Sequence, residues 1–331
     1  MKFKMGEKVR WGIIGLGNIA RNFIKDLSLV NEAEIYAVAS RDLGKAQTFS
    51  EEYQVRSAFG SYKELFECKE VDVVYIATPH TLHSELAIMA MDHGKHVLCE
   101  KPMGVNRAEV LKMISAAQNN KVFLMEALWS RFNPSLIKVK EAVDSGEIGP
   151  LAYLHADFAF YALDRDFEGR VLNPILAGGS LLDIGIYPIF LSYLLLGKPD
   201  QILSTSNFHA NGAEVQTSMI FKYPKAQAIL YSGFTSRSEM KAEISGEKGT
   251  IYIPARWHEA QGYTIEKNNE QDEIKLPTTG RGYYYEISEV HACLGQGKLE
   301  STLWSHQNSL DLITLLDTVR KQNGIVFPFE Q

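Results

Sequence analysis

At 331 residues, 45% of them hydrophobic, the chain is long enough to build two cores. Its formal charge of −6, with basic residues scattered rather than striped, argues against nucleic acid and anionic membranes as partners. Cys68, Cys99 and Cys293 form no C-x-x-C pair, and the nine histidines show no H-E-x-x-H spacing. No metal site is therefore expected, and a reducing, cytoplasmic setting fits.

Residues 1–124 alternate strand and helix. The opening MKFKMGEKVRWGIIGLG is basic and then apolar, as in a signal peptide. Its apolar part is short and broken by glycines, so it serves as a first strand over Val9–Ile14. Further strands are predicted at Glu34–Ala39, Val71–Ile76, His96–Cys99 and Val122–Met125. Helices are predicted at Ile19–Leu29, Gly44–Tyr53, Tyr62–Glu67, His83–Asp92 and Arg107–Asn119. Such alternation predicts an α/β fold with a doubly wound parallel sheet, whose ligands lie beyond the carboxyl ends of the strands.

From Glu126 the pattern changes, which predicts a second domain over 125–331. A helix over Ser135–Ser145 is followed by a strand-like stretch after Pro150 and a loop at Tyr161–Gly179. The apolar run Ile184–Gly197 falls short of the roughly 20 residues of a membrane span and predicts a buried helix. Residues 201–276 read as an antiparallel meander, with turns at Tyr223-Pro-Lys225, Gly246-Glu-Lys-Gly249 and Asn268-Asn269. Helices at Tyr285–Leu294 and Leu303–Gln322 close the chain. This is an α+β domain with a large, mostly antiparallel sheet. If helices cover one face only, the other face is left to be buried in a homodimer or homotetramer.

The first turn carries Gly15-Leu-Gly-Asn-Ile-Ala20, spaced G-x-G-x-x-A between a strand and a helix. Gly15 permits the turn and Gly17 leaves room for a pyrophosphate. Asn18 and Ile19 open a helix whose N–H groups favour an anion. The second strand ends in Ser40-Arg41, where an acid would bind the ribose hydroxyls of NAD. A hydroxyl and a guanidinium there, with Lys45 close by, suit the 2′-phosphate of NADP instead. Thr78 and Pro79, with His83 opening the next helix, are predicted to border the cofactor. Glu100-Lys101-Pro102 follows the fourth predicted strand. A crevice lysine there is costly unless it has a task, and Pro102 aims it. A surface Lys–Glu pair would read the same way.

Asp183 and Tyr187 are four apart within LLDIGIYPIFL, where a carboxylate is out of place unless partnered. They read as a catalytic pair or, equally, as a helix cap and a core tyrosine.

Taken in order, the glycine motif, Glu100-Lys101-Pro102, Met125-Glu-Ala-Leu-Trp-Ser-Arg-Phe-Asn-Pro134 and Gly178-Gly-Ser-Leu-Leu-Asp-Ile-Gly-Ile-Tyr187 resemble the Gfo/Idh/MocA oxidoreductase family over nearly the whole chain. Tyrosine at 187, where many members carry histidine, resembles the branch of dimeric dihydrodiol dehydrogenases and NADP-dependent aldose dehydrogenases. The resemblance implies a Rossmann domain, a C-terminal domain whose open sheet joins subunits, and hydride transfer between NADP(H) and a secondary alcohol of a sugar, polyol or vicinal diol. It implies Tyr187 as acid–base, Lys101 as its electrostatic partner, and Asp183 orienting Lys101 or a substrate hydroxyl. A free tyrosine ionises near about 10, so it needs such help at neutral pH. Trp129 and Phe158 match aromatic positions near the substrate, although both also read as core residues. A glucose–fructose-type enzyme with a non-dissociating cofactor and a non-catalytic NADP-sensing protein are the two alternatives.

Overall fold

A computed structural model describes residues 7–330. In chain order its first part holds β1 (Val9–Ile14), α1 (Asn18–Leu27), β2 (Ala33–Ala39), α2 (Leu43–Tyr53), β3 (Ser57–Phe59), α3 (Tyr62–Glu67), β4 (Val73–Ile76), α4 (His83–Asp92), β5 (His96–Glu100), α5 (Arg107–Asn120) and β6 (Leu124–Ala127). The strands form one sheet in the order β3-β2-β1-β4-β5-β6, every pair parallel. Its central strands are nearly continuous apolar runs, as burial on both faces requires. The order reverses between β1 and β4, and the carboxyl ends there are the usual ligand-binding edge. The predicted strands and helices recur with shifts of a few residues. Only β3 is new, and three residues are too few to carry a period.

The second part holds α6 (Pro134–Asp144), β7 (Leu151–Ala159), α7 (Ile186–Leu196), β8 (Gln201–Phe208), β9 (Glu214–Lys222), β10 (Gln227–Gly233), β11 (Ala242–Gly246), β12 (Gly249–Ile253), β13 (Gly262–Lys267) and β14 (Glu270–Lys275); α8 (Tyr283–Gln296) and α9 (His306–Asn323) follow. The eight-stranded sheet runs β14-β13-β12-β11-β7-β10-β9-β8. It corrects the expected meander at one place. β7 enters between β10 and β11, parallel to the first and antiparallel to the second. No hairpin joins β10 to β11, so their facing edges are open to a strand from elsewhere in the chain. The hairpin turns fall where predicted, and Asn268 and Asn269 both take the positive φ of a type I′ turn.

The apolar run behaves as a core helix, with every residue from Ile186 to Ser192 buried. α7 starts two residues later than expected, because Leu181–Gly185 winds as a wider π-helical turn. Gly185 lies tight on β10 there: a Cβ would come 2.8 Å from the Ser232 Oγ.

The chain divides into two compact units. One is the chain through Phe132 with Thr279–Leu310, and the other is Asn133–Thr278 with the chain from Asp311 on. A single break at 124/125 differs from this division in two ways. The first unit extends past β6, and α8 returns to it.

The return of α8 has a specific cause. Asp26, on α1 and 2% exposed, accepts hydrogen bonds from the backbone N–H groups of Arg281 and Gly282 at 3.0 Å and of Tyr284 at 3.3 Å. A carboxylate from one helix thus caps a helix distant in sequence, satisfying donors that α8 cannot pair itself. Asp26→Ala should lower stability by about 2 kcal/mol, the upper range for a lost cap. The shift should appear as a lower urea midpoint at unchanged slope, and Asp26→Asn, which keeps an acceptor, should lose less.

Candidate active site

The first unit carries a cradle at the β1–α1 turn. Gly15 has φ +80°, and a Cβ there would lie 2.3 Å from the Ala77 carbonyl carbon. Only glycine lets this turn rest on the loop after β4. At Gly17 a Cβ would meet nothing closer than Gly15 O at 3.9 Å, so the space before the turn is open. Gly17 and Asn18 are exposed, Ile19 is half-buried, and no side chain caps α1. Across the turn, Thr78 is buried and its Oγ1 has no hydrogen-bond partner among the described residues. Open space, uncapped N–H groups and an orphaned hydroxyl fit the pyrophosphate and hydroxyls of a dinucleotide. Pro79 is extended and leads into the short turn His80–Leu82.

At the end of β2, Arg41 and Lys45 are exposed and Ser40 is half-buried. The nearest acid, Asp42, caps α2 by accepting the Lys45 N–H at 3.2 Å, while its own N–H donates to the Ser40 Oγ at 3.2 Å.

Beyond β5, Lys101 is half-buried and its neighbours are braced from below. Glu100 accepts the Tyr75 hydroxyl on one oxygen and the Lys101 N–H on the other, at 3.3 Å. Glu126, the acid of the Met-Glu-Ala motif, accepts the Met103 N–H at 2.9 Å and the Trp304 indole N–H at 3.1 Å. Burial raises its carboxyl above the ordinary range, and these bonds work against that. Burial, with Glu100 next, raises the Tyr75 hydroxyl well above its usual value. On α8, Glu286 is fully buried with both oxygens unbonded; burial, then Glu100 and Asp26, holds its carboxyl well above the carboxylate range.

His83 needs a correction. It is expected to touch the cofactor, but it is 0% exposed. Its two ring nitrogens lie 2.9 Å from the carbonyl oxygens of Pro102 and Thr78. The imidazole is spent joining two loops of the cradle. Trp129 is also enclosed within the first unit, stacked on Tyr283 at 4.8 Å.

In the second unit, Asp183 lies in the π-helical turn and pairs with Arg170 at 3.1 Å. Glu214 anchors the start of this turn. It accepts the Leu181 N–H at 2.7 Å and the hydroxyls of Ser180 and Thr217 at 2.8 and 2.6 Å. Tyr187 in the first turn of α7 packs against Phe158 and His258, with ring centroids 5.4 Å away in each case. Phe158 and His258 stack on each other at 4.2 Å. The sequence singled out Asp183, Tyr187 and Phe158, and the structure puts Tyr187 against Phe158, with Asp183 in the turn before it. It missed Arg170, which follows only an acidic loop stretch, and His258, which follows Trp257 with no motif around it. Tyr75 and Glu126 were missed differently: both sat inside quoted or predicted segments, but nothing in their spacing marked them as braces.

The predicted residues thus fall into two groups, a nucleotide cradle with Lys101 in one unit and Asp183, Tyr187 and Phe158 in the other. Residues 9–128 match the model of an oxidoreductase family with an NAD-binding Rossmann fold, and residues 136–252 match the GFO/IDH/MocA C-terminal domain. The chain is 36% identical to the trans-1,2-dihydrobenzene-1,2-diol dehydrogenase of Mus musculus, over 97% of this chain and 98% of that one. It is 32% identical to the NADP(+)-dependent D-xylose 1-dehydrogenase of Hypocrea jecorina, over 97% and 93%. A 3-ketoreductase from Actinomadura kijaniata, solved with NADP and TDP-benzene, superposes with a TM-score of 0.86 at 26% identity, over 95% of this chain and 98% of that one. With both of its halves matched, the chain belongs to the Gfo/Idh/MocA family of NAD(P)-dependent oxidoreductases.

Proposed function

We propose that the protein oxidises or reduces a secondary alcohol or carbonyl of a sugar, polyol or vicinal diol, with NADP(H) rather than NAD(H) as its cofactor. What supports the chemistry most is the cluster around Tyr187. The fold buries Glu214 and its three hydrogen bonds to hold the turn that presents Asp183 and Tyr187 from an apolar helix. A core tyrosine would need no such anchor. Gly15, Gly17, Asn18, Ile19, Thr78 and Pro79 would hold the dinucleotide, and Ser40, Arg41 and Lys45 its 2′-phosphate. When bound, the nicotinamide supplies or accepts the hydride. Tyr187 serves as the acid–base group toward the substrate oxygen, and the Lys101 ammonium supplies electrostatic stabilisation of negative charge. Asp183, held by Arg170, accepts a hydrogen bond from a neighbouring substrate hydroxyl. Phe158 and His258 offer flat faces to the carbon skeleton. Relatives named for a dihydrodiol and for xylose are consistent with this substrate class.

The open face of the second unit's sheet supports an assembly. One row crosses six strands through Leu203, Ile220, Ile229, His155, Glu243 and Tyr252. Leu203, Ile220 and Ile229 are 48%, 38% and 43% exposed, side by side. The opposite face, with Phe221, Ala228, Leu154 and Ile244 at 0%, is the core. A contiguous apolar row of this kind is ordinarily covered. We propose that two copies cover it.

Three measurements test these assignments. Arg41→Asp should reverse the preference between NADPH and NADH, read as the ratio of their dissociation constants, because it removes the phosphate partner and supplies a ribose acceptor. Tyr187→Phe should lower kcat by roughly 10²–10⁴-fold with little change in cofactor affinity, the range for a lost acid–base group. Light scattering at micromolar concentration should give a dimer or tetramer, and Ile220→Lys with Ile229→Lys should give monomers.

A further inference from the structure

His83 lies between two acceptors. One ring nitrogen is 2.9 Å from Pro102 O and the other 2.9 Å from Thr78 O, with the ring fully buried. A carbonyl oxygen can only accept. A neutral imidazole has one N–H and one bare lone pair, so it can satisfy one of these contacts and must set its lone pair against the other oxygen. Both contacts are favourable only if both nitrogens carry protons.

A positive charge here has a route to a counter-charge. The peptide that joins Pro102 to Met103 offers its carbonyl to His83 and its N–H to Glu126 Oε1, at 2.9 Å on each side. One peptide group is thus pulled from both ends, by an N–H donor and by a carboxylate. A donor at one end of a peptide strengthens the bond at the other. Edge to face with the ring stands His80, 5.7 Å away; Glu126 holds the far end of the clamped peptide, and Glu100 and Lys101 directly precede Pro102 in the chain.

We propose that His83 is held as an imidazolium that, with Glu126, clamps the Pro102–Met103 peptide, and that it is a positioning residue for Lys101. Its effect on turnover rests on the role given to Lys101 above; its protonation does not. The ring also fixes the Thr78 carbonyl, so the loop that bears the orphaned Thr78 hydroxyl and the loop that bears Lys101 are tied to one side chain. The positive charge never reaches substrate or cofactor. It acts only by fixing backbone.

The protonation is tested by nitrogen NMR of the whole protein labelled in its histidine rings, with the His83 signals identified by their loss in His83→Gln. At about pH 7.5, above the ordinary histidine midpoint of about 6.5, both His83 nitrogens should carry protons. One bare nitrogen at that pH overturns the imidazolium. In Glu126→Gln, which keeps an acceptor for Met103 but removes the charge, the second proton should be lost at a lower pH; an unchanged titration overturns the role of Glu126. The positioning is tested by His83→Gln kinetics. Misplacement of Lys101 should lower kcat by roughly 10–100-fold, the scale of a misaligned catalytic group. NADPH affinity, read by fluorescence, should change by less than about threefold. Unchanged kcat, or an affinity loss as large as the loss in kcat, overturns the positioning role. Should the variants fail to fold, the NMR of the natural protein still decides the protonation.

Discussion

The constraint on which the nucleotide cradle depends is the approach of Gly15 to the Ala77 carbonyl. No side chain fits between them, so the β1–α1 turn and the loop after β4 are locked together at the point where the sheet order reverses. The other cradle features depend on that contact. It leaves open space before Gly17, sets Thr78 across from the uncapped start of α1, and puts the Thr78 carbonyl where His83 can reach it. His83 passes the constraint to Pro102, and Pro102 adjoins Lys101. A glycine chosen for its missing Cβ thus fixes, through three short contacts, the backbone beside a lysine 86 residues later (101 − 15).

Buried acids do the remaining positioning. Asp26, Glu126 and Glu214 are each at most 3% exposed, and each accepts at least two hydrogen bonds from segments distant in sequence. A buried carboxylate without partners is costly, whereas one that accepts several N–H groups is tolerated and holds those groups in place. Such an acid suits a joint between a loop and a helix start, where donors are free. Glu286 shows the other solution. Its oxygens find no partner among the described residues, and burial pushes its carboxyl well above the ordinary carboxylate range. The same residue type therefore serves as an anchor where donors surround it, and is pushed toward its neutral form where they do not.

The parallel sheet was legible because its central strands are largely apolar and several helices open on their own caps, such as Ser61 with Glu64 and Asn106 with Glu109. The glycine cradle was legible because its residues are contiguous. What the sequence hid is non-local. The insertion of β7 between β10 and β11 depends on pairing across about 70 residues, which no local pattern carries. The return of α8 depends on Asp26, which in sequence is one polar residue of an amphipathic helix. His83 was drawn to the site by its position after Thr78-Pro79, and that position was correct. Its role was not legible, because the second carbonyl it bonds lies 19 residues away. The π-helical turn was hidden for the opposite reason. LLDIG suits an ordinary helix, and the wider winding, with Gly185 seated tightly over Ser232 of β10, has no local signature.

The second unit divides its labour between the two faces of one sheet. Alternation along β9 and β10 places Phe221, Ala228 and Leu230 inward and Ile220 and Ile229 outward. Because the side-chain period is two, a slip of one residue would exchange the faces, so the buried face pins the register of the exposed one. The row from Leu203 to Tyr252 is therefore as rigidly ordered as the core behind it. That core is also what seats α7 and the turn before it, through Ser180, Ser232 and Glu214. Any load on the open face, such as a second copy pressed against it, would act on strands that directly support Tyr187 and Asp183. Covering the face would then stiffen the turn that carries Asp183 and leads into Tyr187, as well as remove apolar surface from water.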